Sequence, residues 1–292
     1  MRGSRIILKK ILEDKLALSG MMIVLAVVFV AVFAPYIAPY PEDVTQLHLG
    51  DRLLAPSLQH PLGTDDLGRD LLSRILFGTR VSFSIAVIAV GICLFIGVPI
   101  GLYAGFYENR FSDFLMRTGD IFLSVPQIVL ALAIASALGR SMQNIILALA
   151  ITYWPWFSNI VYAETRKIKK TVFVEATMAL GATTRRTIIR HVFLNVLSPI
   201  IIRSSVGMGF TLLTAAALGF IGVGAPPPTP EWGVTIADSR RYLPDAWWFA
   251  TFPGLAIFIS VMGFNLLGDG LRDILDPRIR RGGSKAKREG GD

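Results

Sequence analysis

Long apolar runs, each bounded by charge, proline or glycine, recur along this chain and constrain its fold more than any other feature. A helix crossing about 30 Å of hydrocarbon needs roughly 20 apolar residues, and only a helix or a closed barrel satisfies its backbone groups in lipid. Six runs meet that requirement: Leu16 to Ala38, Val81 to Phe106, Thr118 to Leu138, Ile145 to Tyr162, Val196 to Phe220 and Trp247 to Leu267. They predict an all-α polytopic membrane protein with six transmembrane helices, the fifth weakened by Arg203 and several glycines. Composition agrees, because 53% hydrophobic residues over 292 positions is more apolar surface than one soluble core buries.

The first run is preceded by Arg2, Arg5, Lys9 and Lys10, as a signal peptide would be. Its length and the lack of a small-residue cleavage site make it a retained signal-anchor. Lys and Arg are distributed unevenly between alternate loops. One side has 5 through Lys15, 2 from Glu108 to Arg117, 7 from Glu164 to Arg190 and 7 from Arg272 onward; the other has 4 between Tyr40 and Arg80, 1 at Arg140, and Arg240 with Arg241. The positive-inside rule therefore places both termini in the cytoplasm, with which six spans agree. The net charge of +8 follows from this topology and not from nucleic-acid binding, since the basic segments abut spans and lack interleaved aromatics. Cys93, alone of its kind, lies within an apolar run and reads as a small packing residue.

No lysine follows a glycine, so the chain has no Gly-x-x-x-x-Gly-Lys phosphate loop, and any ATPase belongs to another polypeptide. His-Glu-x-x-His, Gly-x-Ser-x-Gly and paired cysteines at zinc spacing are also missing, so no catalytic or metal-ligating residue is assigned. His48, His60 and His191 are scattered. A carrier acting alone would place paired ionisable residues deep in its spans. Only Asp120, expected to pair with Arg117 at the cytoplasmic boundary with a translocation role as the alternative, and Arg203 approach that description. The glycines at 219, 222 and 224 end a span and suit close helix packing better than dinucleotide binding.

The segment Lys169 to Asn195 is the most informative loop. Thr171 can cap a short helix whose first turn holds Glu175; Gly181 breaks it, and a second helical stretch begins near Thr184. Its small and apolar face, Ala176, Ala179, Leu180 and Ala182, suits docking into a partner's groove, with the membrane interface as the alternative.

Glu175-Ala176-Thr177 with Gly181, then Arg190-His191 and Asn195, resembles the EAA loop of binding-protein-dependent ABC permeases, in the form used by the peptide and nickel importer family. Three further blocks are similar to its C-type subunits: His60 to Arg74; Ala217 to Gly224 followed by Pro227 to Gly233; and Asn265 to Asp273 with Asp276-Pro277-Arg278. Thr177 and Leu194 depart from the family pattern, where Ala and Pro are usual. The resemblance implies a type I importer permease fold in a bacterial or archaeal inner membrane. It further implies coupling to an ATPase through Val174, Glu175, Ala176, Ala179, Leu180, Gly181, Ala182 and Thr183. Implied partners are a second, B-type permease, two ATPase subunits that bind ATP and Mg, and an extracytoplasmic substrate-binding protein. Implied cargoes are di- or oligopeptides, with nickel, glutathione and oligosaccharides as relatives of that class.

Four prolines between Pro226 and Pro230 predict a rigid extracytoplasmic loop through Gly233. Trp232 there marks the water interface or, with Pro228, Pro230 and Glu231, meets a docked binding protein. The cluster Asp65, Asp66, Arg69, Asp70 reads as a turn held by its own pairs, with substrate contact as the alternative. The chain divides into a cytoplasmic segment 1–15, the first helix and outer loop 16–79, a permease core 80–271 containing the coupling loop 164–195, and a basic tail 272–292.

Overall fold

A computed structural model describes residues 12–275. The basic residues before Leu12, the tail beyond Leu275 and the Asp276-Pro277-Arg278 block lie outside the described residues. The described chain is helical: α1 Lys15–Ile37, α2 Leu71–Tyr107, α3 Arg110–Leu123, α4 Gln127–Leu138, α5 Met142–Lys169, α6 Val172–Ala179, α7 Thr184–Val223, α8 Trp232–Ser239 and α9 Trp247–Leu275. Three of these helices, α1, α2 and α3, start where a side chain supplies an acceptor. Asp14 receives Ala17 N at 2.8 Å, Asp70 receives Ser73 N at 2.8 Å, and Asn109 receives Ser112 N at 2.8 Å.

Five helices, α1, α2, α5, α7 and α9, are long and apolar enough to span a membrane. The expected third span is a pair instead. α3 and α4 meet at 89° across Ser124-Val125-Pro126, and counting that pair as one broken span gives six. Pro126 explains the break: it disfavours helix at Val125 and has no N–H for the ladder. The second span also starts ten residues before its apolar run, so α2 passes unbroken through residues 79 and 80, where the sequence division fell.

Small residues hold the bundle together, as expected where lipid offers no hydrophobic drive between helices. On α2, a Cβ added at Gly97, Gly101 or Gly105 would come within 2.6–2.7 Å of the carbonyls of Trp154, Ser158 and Tyr162, so α2 lies backbone to backbone along α5. Gly20 and Gly270 do the same where α1 crosses α9, Gly263 makes room there for the Ile23 side chain, and Ser205 Oγ donates to the Phe264 carbonyl at 2.8 Å where α7 meets α9. The main core gathers Ile85, Cys93, Leu149, Tyr153, Phe157 and Leu218 between α2, α5 and α7, and Cys93 is buried in it as a packing residue.

Candidate functional site

At the basic end of α5, the short helix α6 and the start of α7 form the expected helix–turn–helix. Glu108, in the left-handed region with φ 48°, ends α2 and meets Arg166 Nε at 2.8 Å and Lys169 Nζ at 3.8 Å. The Arg166 hydrogen bond, helped by the charges of Lys169 and Lys170, holds Glu108 below the usual carboxylate range. This pairing ties the end of α5 to the end of α2, and the loop is launched from there.

Thr171 occupies the N-cap position of α6 with an extended backbone, but its hydroxyl turns back to donate to the Ile168 carbonyl at 2.7 Å. The expected side-chain cap is therefore not made. At the other end Gly181 N donates to Met178 O at 3.0 Å and Ala182 N to Thr177 O at 3.2 Å, a Schellman closure that needs the left-handed residue at Gly181, φ +85°. A Cβ at Gly181 would meet nothing within 4 Å, so backbone conformation alone requires glycine there.

The loop residues divide into two sets. Val174 is wholly buried among Phe106, Val161, Val192, Val196 and Ile200; it anchors α6 to the bundle and is not a contact position. Glu175, Ala176, Ala179, Leu180, Gly181 and Thr183 face outward, Ala182 is half-buried, and Leu180 is 89% exposed. Phe173 meets His191 edge-on at 5.2 Å, fixing α6 against the start of α7. There Arg185, Arg186 and Arg190 line a shallow depression with Thr183 and Ile189. A π-turn over Ile188–Val192 follows within α7, and a second ends that helix over Gly219–Val223, where Gly222 leaves helical geometry with φ 105°.

The opposite end is built from buried charge. Asp65 is inaccessible and accepts from Leu67 N and Arg69 N, both at 2.9 Å, and from Arg69 Nε at 2.7 Å; Arg74 Nε lies 3.1 Å away. Asp70 caps α2 and receives His60 Nδ1 at 3.0 Å. The cluster is thus the expected turn held by its own pairs, with Gly63 and Gly68 beside it in positive φ. Asp66 and Asp238 stand above the usual carboxylate range because burial and neighbouring carboxylates disfavour their charge.

Two expectations for the proline-rich segment need correction. Helix α8 begins at Trp232, inside the predicted loop, with Glu231 as its N-cap: its carboxyl receives Gly233 N at 2.8 Å and Val234 N at 3.0 Å. Pro230, Glu231 and Trp232 are buried, so of the four expected contact residues only Pro228 is exposed. Trp232 is no interfacial anchor. Its ring packs on Gly78 and its Nε1 donates to the Ile75 carbonyl at 3.1 Å. Burial pushes the Glu231 carboxyl up to about 7, against the pull of its backbone donors. Sequence reading missed this cap because proline neighbours suggest loop, and the signal available was an acidic residue directly before an apolar stretch.

Asp120 is corrected as well. No ion pair joins it to Arg117 among the described residues. Neighbouring Gly119 packs on Pro155 in the middle of α5, and Phe122 meets Trp154 edge-on at 6.0 Å. Arg203, within α7, lays its guanidinium 3.2 Å over the Trp156 ring, a cation–π contact.

Residues 97–281 match the family described as binding-protein-dependent transport system inner membrane component, and residues 4–56 match the N-terminal TM domain of oligopeptide transport permease C. The chain is 40% identical over 272 residues to the dipeptide transport system permease protein DppC of Alkalihalophilus pseudofirmus, covering 93% of this chain and 89% of that protein. It is 41% identical over 275 residues to the di/tripeptide transport system permease protein DppC of Pseudomonas aeruginosa, covering 92% and 90%. To the glutathione transport system permease protein GsiD of Pectobacterium atrosepticum it is 38% identical over 273 residues, covering 93% and 90%. Its fold is similar to a chain of the MetNI methionine ABC transporter in an inward-facing conformation, with TM-score 0.60, 17% identity, and coverage of 69% of this chain and 96% of that one. This chain belongs to the family of binding-protein-dependent transport system inner membrane components, and it is a membrane-spanning permease subunit of an ABC importer.

Proposed function

We propose that the chain is the C-type half of an importer for di- or oligopeptides or related small solutes, glutathione among them, and that it pairs with a different, B-type permease. The support for the cargo class is the naming of its relatives as dipeptide, di/tripeptide and glutathione permeases. ATP and Mg are bound by two partner ATPase subunits, which this chain engages through α6. The observation that carries the coupling assignment is the division of that helix: Val174 locks it to the bundle, while Glu175, Ala176, Ala179 and Leu180 are left outward with no packing of their own. Such a face suits a groove, and the arginines beside it suit an acidic rim. Movement of an ATPase groove would pass through Val174 and the π-turn into α7.

Both termini then lie in the cytoplasm, and the ridge Pro226 to Pro228 meets the loaded binding protein outside. Transport is an equilibrium between inward- and outward-open states, biased by ATP at one end and by the binding protein at the other. Co-purification from the native membrane tests this reading. An intact complex containing ATP-hydrolysing subunits, active in uptake of L-alanyl-L-alanine from its binding protein, is the expected result. An intact complex without ATPase subunits overturns it.

A further inference from the structure

Helix α3 divides its surface three ways. At about 100° per residue, Ser112, Met116 and Gly119 point toward α5, and Phe111, Phe114 and Ile121 form an exposed apolar arc. Arg110, Asp113, Arg117 and Asp120 fall on a third arc of about 80°. All four of these charged residues are exposed, and no ion pair joins any of them to another described residue.

The depth of this arc can be measured along α5. Arg166, Lys167 and Lys169 mark the basic end of that helix. Pro155 lies eleven residues before Arg166, about 16 Å along the axis at about 1.5 Å per residue, or about halfway across a 30 Å hydrocarbon layer. Three contacts fix α3 beside it in antiparallel register. Met116 Sδ is 3.8 Å from Ser158 Oγ, a Cβ on Gly119 would sit 3.3 Å from Pro155 Cβ, and the Phe122 ring lies against Trp154. Asp120, next to Gly119, is therefore at mid-membrane depth, with Arg117 and Asp113 one and two turns toward the basic end.

A carboxylate at that depth cannot face hydrocarbon without a large cost, and here it is not covered by its own chain. The apolar arc beside it satisfies lipid or a neighbouring helix; the charged arc requires water or a charged guest. We propose that the charged arc of α3, Asp113, Arg117 and Asp120, lines the water-filled translocation path, and that Asp120 receives the ammonium group of a short peptide at mid-membrane. The alternation of sign suits a zwitterionic cargo, since Arg117 one turn away offers a cation to a carboxylate while Asp120 holds the amine. The Pro126 break lets α4 turn away above this point, so the arc ends where the helix bends. This assignment rests on the importer reading above for its cargo, but the path-lining itself does not.

The test uses the assembled importer in proteoliposomes, with Asp120→Cys and Ile121→Cys made separately and the buried Cys93 thiol of the unaltered chain as background. A charged, membrane-impermeant methanethiosulfonate is applied and its attachment to this chain is read by mass. Asp120→Cys is expected to react at least about tenfold faster than Ile121→Cys, because thiolate chemistry needs water. Equal, slow reaction at both positions overturns the path assignment and places the arc against the partner permease. Uptake of L-alanyl-L-alanine then tests the amine contact. Asp120→Asn is expected to lower it about tenfold, the worth of one charge-assisted hydrogen bond, while Asp120→Glu retains most of it. Unchanged uptake in Asp120→Asn overturns the ammonium contact. If the unaltered complex takes up no peptide, the cargo reading fails and the labelling result still decides whether the arc lines the path.

Discussion

The two ends of this molecule solve opposite problems. At one end, which the proposed orientation puts outside the membrane, Asp65, Arg69, Arg74, Asp70 and Glu231 are all buried and nearly every polar atom is matched within the chain. At the other, which the same orientation puts inside, helix α6 keeps one residue, Val174, in the core, half-buries Thr177 and leaves the rest outward. A region that satisfies itself is built to stay fixed; a region that leaves its face open is built to be completed by another molecule. The comparison predicts that substitutions at the outer end change stability, that those at the inner end change association and coupling, and that the first effect shrinks as the second grows.

The largest loss of stability is expected from Asp65→Asn. It leaves Arg69 and Arg74 buried without their counter-charge, and breaking such a pair from one side costs about 3–5 kcal/mol. A marked fall in the thermal midpoint of the purified complex in detergent checks this, and a midpoint unchanged from the parent would break the comparison at its strongest point.

Glu231 comes next, through pH. Its carboxyl titrates at about 7 in the folded chain against the ordinary 4.5, so the folded state holds a proton that the unfolded state has already released. Stability attributable to this group is then greatest below about 4.5, declines as pH rises toward about 7 and levels off above it, a change on the order of 3 kcal/mol. Thermal midpoints measured across that range should fall more steeply for the parent than for Glu231→Gln. Parallel curves would remove Glu231 from the account.

These outer residues also show where sequence ceases to inform. The spans were legible because apolar runs of membrane length admit few other folds, and the Asp65 to Asp70 cluster was legible as a turn because Gly63 and Gly68 stand beside alternating charges. Arg74 was not legible as a partner of the same carboxylate, since that contact exists only once α2 has begun at Leu71 and turned its polar face inward. Trp232 failed for a related reason: an aromatic after prolines fits an interface as well as a core, and only the absence of a side chain at Gly78 makes room for it. The Pro126 break was visible in the sequence, yet hydropathy averaged over the run passes straight through it. The helix–turn–helix between Lys169 and Asn195 was legible, because a glycine-closed short helix is a local structure; the inward turn of Val174 is set by packing and was not.

Gly181 stands between the two regimes. Its left-handed backbone costs a β-branched residue about 1–2 kcal/mol, with no steric clash to add. Gly181→Val is therefore expected to leave membrane insertion and the bundle intact while displacing α6, so that substrate-stimulated ATP hydrolysis in the assembled complex falls several-fold. Gly181→Asn, which tolerates the same backbone region, should retain most of it. Equal loss in both variants would show that the position acts by contact and not by conformation.

The smallest effect on stability, and the largest on association, is expected at Leu180. Its side chain is 89% exposed and has nothing to lose in the isolated chain, so Leu180→Gln should change the thermal midpoint by no more than about 0.5 kcal/mol of stability. Burying a leucine in a partner's groove contributes about 1.5–3 kcal/mol, so the same substitution should weaken retention of the ATPase subunits tenfold or more. Titration of purified ATPase onto the permease pair, followed beside the unfolding curve of each permease preparation, separates the two readouts. Full ATPase affinity with an unchanged midpoint would mean that the open face of α6 lies on the membrane surface, and that the inner end, like the outer, is complete without a partner.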